Sequence, residues 1–153
     1  MKDRQSLLRS IDTGDLETII ALDRSHTGHS RRGFFERRWQ AMTREPTTFI
    51  GLAAEQQSIV IGFLFAHMLD GEFGVSAPAA VLDAVAVATE HHGQGVGSAL
   101  MKGLIDEVRA RGGGEIRTQA LWQQRGLPEF FDKSGFRLAP RLVLERNTAD
   151  LTW

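Results

Sequence analysis

The hydrophobic positions in the first third of the chain predict one short strand followed by two helices. Residues 7–11 form an apolar-rich run that is typical of a strand. Residues 13–15 offer capping oxygens, and the apolar residues after them recur with helical spacing. A second helix is predicted over residues 32–43, because its large apolar side chains fall on one face. Pro46 closes this region.

The middle of the chain predicts three strands. Residues 48–54 and 58–68 are apolar runs separated by the polar residues 55–57, which indicates a β-hairpin. Residues 71–78 contain glycine and proline and are interpreted as a loop. Residues 81–87 are almost continuously apolar, and such a run predicts a central strand that is buried on both faces.

The last third begins with a glycine-rich turn and an amphipathic helix that Gly112 ends. The apolar face of this helix consists of Val96, Leu100, Met101, Leu104, Ile105 and Val108. Arg109 and Arg111 lie in its last turn, where cations suit the helix dipole. Three further elements are predicted: a strand over 115–121, a short helix over 126–133, and a final strand over 136–145 that is broken near Pro140.

The predicted order of elements, β-α-α-β-β-β-α-β-α-β, favours an α/β (α+β) fold with a mixed β-sheet flanked by helices. We expect a single domain over residues 1–153, because the chain has the length of one ordinary domain and shows no repeat or linker.

The composition excludes several classes of protein. The chain has no cysteine, which rules out disulfides, thiolate metal sites and cysteine nucleophiles. Its charged N-terminus leads into no long apolar run, and no stretch approaches the ~20 apolar residues of a membrane span, so a cytoplasmic protein without membrane contact is expected. The formal net charge of −1 argues against binding to nucleic acid.

Charge is distributed unevenly along the chain. Residues 51–90 contain no lysine or arginine but hold Glu55, Asp70, Glu72, Asp83 and Glu90. One interpretation is a buried sheet with a few solvated acids in its loops. The other is an acidic site that favours a cationic ligand.

The strongest chemical feature is the junction between the strand at 81–87 and the following helix. It contains His91-His92-Gly93-Gln94-Gly95-Val96-Gly97-Ser98. Glycines let the backbone approach a ligand, and the free N–H groups of a helix start form an anion site that suits a pyrophosphate. By itself this junction suits a dinucleotide, a nucleoside triphosphate or coenzyme A. Gly93, Gly95 and Gly97 are spaced G-x-G-x-G, whereas the Rossmann fingerprint is G-x-G-x-x-G. The junction also lacks the Gly-Lys-Ser/Thr that ends a Walker loop. A mere connecting turn would not need three alternate glycines.

The junction resembles the acetyl-CoA motif of the GNAT acetyltransferases, Gln/Arg-x-x-Gly-x-Gly/Ala. His92 stands at the Gln/Arg position, and Gly95 and Gly97 match. Residues 130–136, Phe-Phe-Asp-Lys-Ser-Gly-Phe, resemble the second signature of the family, and residues 61–63 resemble its third strand. The resemblance covers most of the chain from about residue 49 to residue 145, and the two motifs at this separation are specific to the family.

The resemblance implies an N-acetyltransferase that passes the acetyl group of acetyl-CoA to a primary amine by direct attack in a ternary complex. The backbone of residues 85–87 would pair with the pantetheine arm, and the amides of residues 93–98 would hold the pyrophosphate. The amine would approach from the opposite side; no metal is implied, and a homodimer is allowed. The implied cofactor-binding residues are Val85, Ala86, Val87, His92, Gly93, Gln94, Gly95, Val96, Gly97, Ser98, Gln124, Phe130, Phe131 and Lys133.

Three positions depart from the pattern of the family. Phe131 stands where a tyrosine often acts as general acid, and the chain has no tyrosine. A related pattern in ribosomal-protein acetyltransferases places a base glutamate on the fifth strand, and the position that resembles it here holds Gln119. Gln124 replaces the asparagine of the motif. Either proton transfer uses water and other residues, or the chemistry is weak or lost. The second possibility supports an alternative: a non-catalytic sensor that binds acetyl-CoA. A nucleotide-binding protein of another fold is a third, remote one.

Asp83 is the candidate general base. It is the only charged residue among residues 79–88, and a carboxylate in such a strand is costly unless it is paired or functional. Simple alternation places it on one face with Val81, Val85 and Val87. The other interpretation is that Asp83 pairs with a loop. If Asp83 is structural, Glu72, Glu90 or an ordered water is the alternative candidate for the base.

Other polar residues are weaker candidates. His67 is interpreted as structural, and His91 and His92 border the phosphate loop. The histidines show no spacing typical of metal ligands. Four arginines, Arg31, Arg32, Arg37 and Arg38, either line an acceptor pocket or form a solvated helix face.

Overall fold

The computed structural model describes residues 5–71, 74, 76–120 and 126–149. Its contacts form two compact units, Met1–Gln119 and Ala120–Trp153. The first unit contains a five-stranded mixed sheet in the order β1-β2-β3-β4-β5. All neighbouring strands are antiparallel except β4 and β5, which are parallel. The strands are β1 Leu7–Ser10, β2 Phe49–Gln56, β3 Ile59–Leu69, β4 Ala79–Val87 and β5 Glu115–Arg117.

The first unit also contains the α-helices α1 Leu16–Thr27, α2 Arg32–Arg44 and α3 Val96–Ala110, and the second unit contains α4 Leu127–Lys133. A capping box in which Asp12 and Asp15 exchange hydrogen bonds with each other's backbone opens a short 3-10 turn before α1. Gly28, in the left-handed conformation, ends α1. None of the described helices has the length and apolar character needed to cross a bilayer.

The sheet has two differently covered faces. On the α1–α2 face, the buried ring of Phe35 from α2 packs edge-on against Phe63, with 5.6 Å between centroids. On the α3 face, Gly62 lies directly beneath α3, and a Cβ there would come within 3.2 Å of Leu100 and Val96. Since side chains alternate along β3, these contacts assign Phe63 and Phe65 to the α1–α2 face and Gly62 and Leu64 to the α3 face.

Several predictions from the hydrophobic pattern are confirmed. The first strand, both long helices, the hairpin and the amphipathic α3 all form close to the predicted positions. The strand predicted at 81–87 is β4, but its burial on both faces is wrong. Its even-numbered residues are buried, whereas Val81, Asp83, Val85 and Val87 are only partly buried. The neighbouring strand β5 ends at Arg117, so it flanks only the beginning of β4.

The final strand predicted at 136–145 is also wrong. The described residues 136–149 contain no strand, and Leu138 and Leu142 are 99% and 87% exposed. Pro140 removes one backbone donor, and an apolar pattern forms a strand only where a partner edge accepts its hydrogen bonds. The strand predicted at 115–121 is shorter than expected, because β5 ends at Arg117. The short helix at 126–133 is confirmed as α4.

Candidate active site

Asp83 is the extra residue of a β-bulge in β4. Across β3 and β4, Phe65 is paired with Ala84 and Ala66 with Leu82, so Asp83 has no partner of its own. A bulge of this kind shifts the alternation of side chains along the strand. The expectation that simple alternation holds through Asp83 is therefore wrong.

The shift divides the half-buried residues of β4 between the two faces of the sheet. Val85 is opposite Leu64, on the α3 face, and Val87 is opposite Gly62 on the same face. Asp83 instead reaches His67 and the α2 residue Arg38, on the α1–α2 face. Consequently the carboxylate of Asp83 and the side chain of Val85 lie on opposite sides of the sheet.

The outer edge of β4 over residues 83–87, here named the open edge, lies beyond the end of its pairing with β5. Pairing with β5 ends at Val81 and Arg117, and the Thr118 hydroxyl then donates to the Leu82 carbonyl at 3.1 Å. The described part of the chain contains no strand beside residues 83–87.

The backbone groups along this open edge belong to the residues predicted to bind pantetheine. The Ala88 N–H donates to the Ile61 carbonyl at 2.7 Å, so Ala88 faces β3. In an antiparallel pair, alternate residues face the partner strand. The N–H and C=O groups of Val87 and Val85 therefore point away from β3, towards the open edge.

The glycine loop, residues 92–98, joins this edge to α3. Gly93 and Gly95 have φ angles of 73° and 80°, a conformation that glycine adopts without strain. A side chain added at either position would meet no atom of the described chain within 4 Å. Glycine is therefore required here by backbone conformation rather than by the closeness of a described neighbour.

Three amides at the start of α3 are available to a ligand. The first hydrogen bond of the helix runs from the Ala99 N–H to the Gly95 carbonyl at 3.0 Å. Among the described residues, the N–H groups of Val96, Gly97 and Ser98 have no acceptor. Free amides at a helix N-terminus form an anion site.

Two polar side chains of the loop brace it internally. His92 Nε2 lies 2.8 Å from the Val87 carbonyl oxygen, and the Gln94 amide donates to the Glu90 carbonyl at 3.2 Å. His91 Nδ1 is 3.4 Å from Gln94 Oε1. The structure thus places the His92 side chain against the end of β4, while Gln94 contacts Glu90 and His91, and a cofactor role for His92 and Gln94 stays a prediction.

The carboxylate of Asp83 is engaged on both oxygens. Arg38 Nη2 lies 3.1 Å from Oδ1, and His67 Nδ1 lies 2.8 Å from Oδ2. The Asp83 side chain is 10% exposed. The Arg38 guanidinium stacks on the rings of Phe34 and Phe49, at 5.3 and 5.4 Å from their centroids. A buried carboxylate of this kind is held by a paired cation and hydrogen bonds.

Sequence reasoning missed this three-residue cluster of Arg38, His67 and Asp83. An acid alone in an apolar strand signals that a cation must be near, but the sequence does not show which one. Of the four arginines proposed for an acceptor pocket, Arg31 and Arg32 are also paired with acids. Arg31 binds the buried Asp23, which raises the pKa of Arg31, and Arg32 binds Glu17 through two hydrogen bonds of 2.7 and 2.8 Å.

The second signature lies on α4, within the unit Ala120–Trp153. Phe131 is buried there between Phe130 and Phe136, with ring centroids 5.4 and 5.1 Å away. Lys133 is exposed and lies 2.8 Å from Glu129, which raises the pKa of Lys133. Gln124 lies outside the described residues. A cofactor role for these four residues stays a prediction.

A strand edge that leads to free amides at a helix start is an arrangement that can take an extended ligand with an anionic end. Within the described residues, no group of three or more histidine, aspartate or glutamate side chains is arranged to hold a metal ion. The family model described as Acetyltransferase (GNAT) family matches residues 15–136. The chain belongs to this family of acetyltransferases, which confirms the resemblance found in the sequence.

Comparison with solved structures confirms the predicted fold class. The chain is similar to a transcriptional regulator from Bacillus halodurans C-125, with TM-score 0.81 and 18% identity over 94% of this chain and 99% of that chain. It is similar to the aminoglycoside N-acetyltransferase AAC(6')-Iy in complex with CoA, with TM-score 0.79 and 16% identity over 97% and 99%. A ribosomal-protein-alanine N-acetyltransferase from Brucella melitensis biovar Abortus 2308 has TM-score 0.75 and 17% identity over 92% and 99%. No curated protein sequence matches the chain.

Proposed function

We propose that this protein transfers the acetyl group of acetyl-CoA to a primary amine, by direct attack of the amine on the thioester in a ternary complex. The observation that carries the proposal is the open edge of β4, residues 83–87, which leads directly into the three free amides of Val96, Gly97 and Ser98. Membership of an acetyltransferase family supports the same reaction class.

Two features of the described residues support acetyl-CoA as the ligand. The amides at the start of α3 would hold the pyrophosphate, and no described atom would lie within 4 Å of a Cβ added at Gly93 or Gly95. The backbone of Val85 and Val87 would pair with the amides of the pantetheine arm as a neighbouring strand does. An arm that follows this edge from the loop runs towards Asp83, about 13 Å along the strand.

The chain's part in the reaction is positioning and proton removal. The amine must lose a proton before its lone pair attacks the carbonyl carbon; the C–N bond then forms and the C–S bond breaks. Coenzyme A thiolate is a tolerable leaving group, so a tyrosine acid is not required. Holding the two reactants in contact supplies much of the rate enhancement.

The acceptor is a protein N-terminus, a lysine side chain or a small amine. The acidic segment 51–90 is a weaker argument for a cationic amine than its five acids and its lack of lysine and arginine suggest. Glu55 is bound by Arg9, at 2.7 Å between Nε and Oε2, and Asp83 is bound by Arg38. Two of its five acids are thus neutralised by arginines from elsewhere in the chain.

The alternative function is a sensor that binds acetyl-CoA without turnover. The engagement of both Asp83 oxygens favours it, because a fully paired carboxylate is not presented to a substrate as a base. One structural neighbour is described as a transcriptional regulator, which shows only that the fold is shared. Cytoplasmic location and a homodimer stay predictions.

Two measurements test the proposal. Calorimetry with acetyl-CoA should show binding, and a thiol-release assay with a panel of amines should show turnover for at least one amine. Binding without release by any amine would favour the sensor. No binding at millimolar acetyl-CoA, or displacement by ATP or NAD rather than CoA, would reject the site assignment.

A further inference from the structure

The imidazole of His67 is hydrogen-bonded to a carboxylate through one ring nitrogen, Nδ1, and its other nitrogen is Nε2. His67 lies on β3, paired with Val81 of β4 and Phe49 of β2. Its Nδ1 is 2.8 Å from Asp83 Oδ2. Because an ionised carboxylate only accepts hydrogen bonds, this contact favours the tautomer with the proton on Nδ1 and a lone pair on Nε2.

The second oxygen of Asp83 is held by Arg38, which fixes the carboxylate in place. Arg38 is itself held between the rings of Phe34 and Phe49. Asp83 from β4 contacts His67 directly, Arg38 from α2 contacts the same carboxylate, and Arg117 of β5 is the partner of Val81, which is paired with His67. The His67 side chain is 20% exposed, twice the exposed fraction of Asp83. Of the two hydrogen-bonded partners the imidazole is the more exposed, and Arg38, at 23%, is exposed to a similar extent.

The cluster also lies where the reaction is expected. Asp83 stands at the end of the open edge that is distant from the glycine loop, and the bulge turns it away from the α3 face. An acetyl-CoA held by the start of α3 would bring its thioester to this end of the edge. The amine would then arrive from the α1–α2 face, on which His67 lies.

We infer that His67 is the general base of the reaction and that Asp83 is a positioning residue that orients its ring. This inference rests on the proposed function. The acceptor ammonium gives one proton to His67 Nε2, and the resulting amine attacks the thioester carbon. As the C–S bond breaks, the nitrogen loses its second proton and the CoA thiolate takes it, directly or through water. His67 then releases its proton to solvent.

The test is His67→Asn, because the asparagine amide can keep the hydrogen bond to Asp83 while removing Nε2. We expect kcat to fall by about 10²-fold, with the KM for acetyl-CoA unchanged and the acidic limb of the pH–rate profile lost. His67→Gln, which also lacks a titrating ring, should behave alike and replaces the first variant if it folds poorly. A kcat within twofold of the parent's in a folded variant overturns the inference.

Asp83→Asn separates the two roles. If Asp83 acts only through His67, the double variant His67→Asn/Asp83→Asn should turn over within about threefold of His67→Asn alone, because the two residues form one unit. A further loss near 10²-fold in the double variant would make Asp83 an independent base and overturn the inference. Failure of the proposed function is a different result, namely no binding of acetyl-CoA by the parent protein in calorimetry.

Discussion

His92 Nε2 and the carbonyl oxygen of Val87 lie 2.8 Å apart, so a side chain of the glycine loop closes onto the end of the open strand edge. The His92 ring also lies 5.7 Å from that of His26 in α1. This bond ties together the two parts of the proposed ligand site, the edge and the loop. It also engages one lone pair of a carbonyl that would face the pantetheine arm.

We expect His92→Ala to weaken acetyl-CoA binding about fivefold. The loss of one hydrogen bond, about 1 kcal/mol, would leave the loop amides less well ordered before the ligand arrives. Isothermal calorimetry measures the change. A tighter complex would show instead that the ligand needs the Val87 carbonyl and that His92 competes for it.

Gly95→Glu is expected to abolish acetyl-CoA binding while the fold persists. Its carboxylate would enter the space above the loop and repel the pyrophosphate. The chain offers a matched control in Gly112, at the other end of α3, which has a φ angle of 79° and the same lack of neighbours within 4 Å. Gly112→Glu carries the same backbone strain, about 1–2 kcal/mol, and should bind acetyl-CoA normally.

Equal affinities for the parent and Gly95→Glu would place the phosphates elsewhere. Equal loss of affinity in both glutamate variants would assign the effect to helix strain rather than to the loop. Thermal unfolding of both variants gives the common cost of strain.

Phe131→Ala is expected to lower acetyl-CoA affinity and the stability of the unit that contains α4, without removing an acid step. The ring packs between Phe130 and Phe136 and has no ionisable proton that it could donate to a leaving group. Truncating a buried phenylalanine commonly costs about 3–5 kcal/mol. The pH–rate profile should keep the same limbs as the parent's, and a limb that disappears in the variant would contradict this assignment.

Asp15→Asn is expected to reduce the free energy of unfolding at neutral pH. As the pH is lowered, the stability of the variant should fall less than that of the parent. Arg9 donates two hydrogen bonds, of 2.7 and 2.9 Å, to the Asp15 carboxylate and holds its pKa below the usual range. A carboxylate with a lowered folded pKa stabilises the protein above its unfolded pKa of about 3.9, and this contribution disappears as the pH falls through the folded value.

Denaturant unfolding from pH 7 to pH 2 measures this difference. We expect about 1–2 kcal/mol between parent and variant at pH 7, converging in acid. Asp106→Asn is the control, because Asp106 is largely exposed and its partner Lys102 is exposed as well. A constant difference across the pH range would show that Asp15 acts through packing rather than charge.

The elements of this protein follow from local patterns that the sequence states directly. The hairpin appears as two apolar runs about a polar turn, and α3 as a 3.6-residue apolar period between Gly95 and Gly112. The glycine loop is predictable for the same reason: a left-handed φ at Gly93 and Gly95 is a local requirement that leaves its mark in the residue type. The family resemblance rests on the same local motifs.

The final strand was not predictable, because a strand depends on a partner edge as well as on its own residues. Leu138 and Leu142 have the apolar character of a strand, yet they are exposed and outside any sheet. The length of β5 has the same origin, since its pairing with β4 ends at Arg117.

Only the tertiary structure decided the chemistry around Asp83. The sequence singled out this acid, because a charge in an apolar strand needs an explanation. It could not show that β4 bulges there, since the register between β3 and β4 is set by how side chains pack on both faces of the sheet. That one extra residue turns Asp83 from the face of Val85 to the face of Arg38 and His67, and so determines which charges it meets.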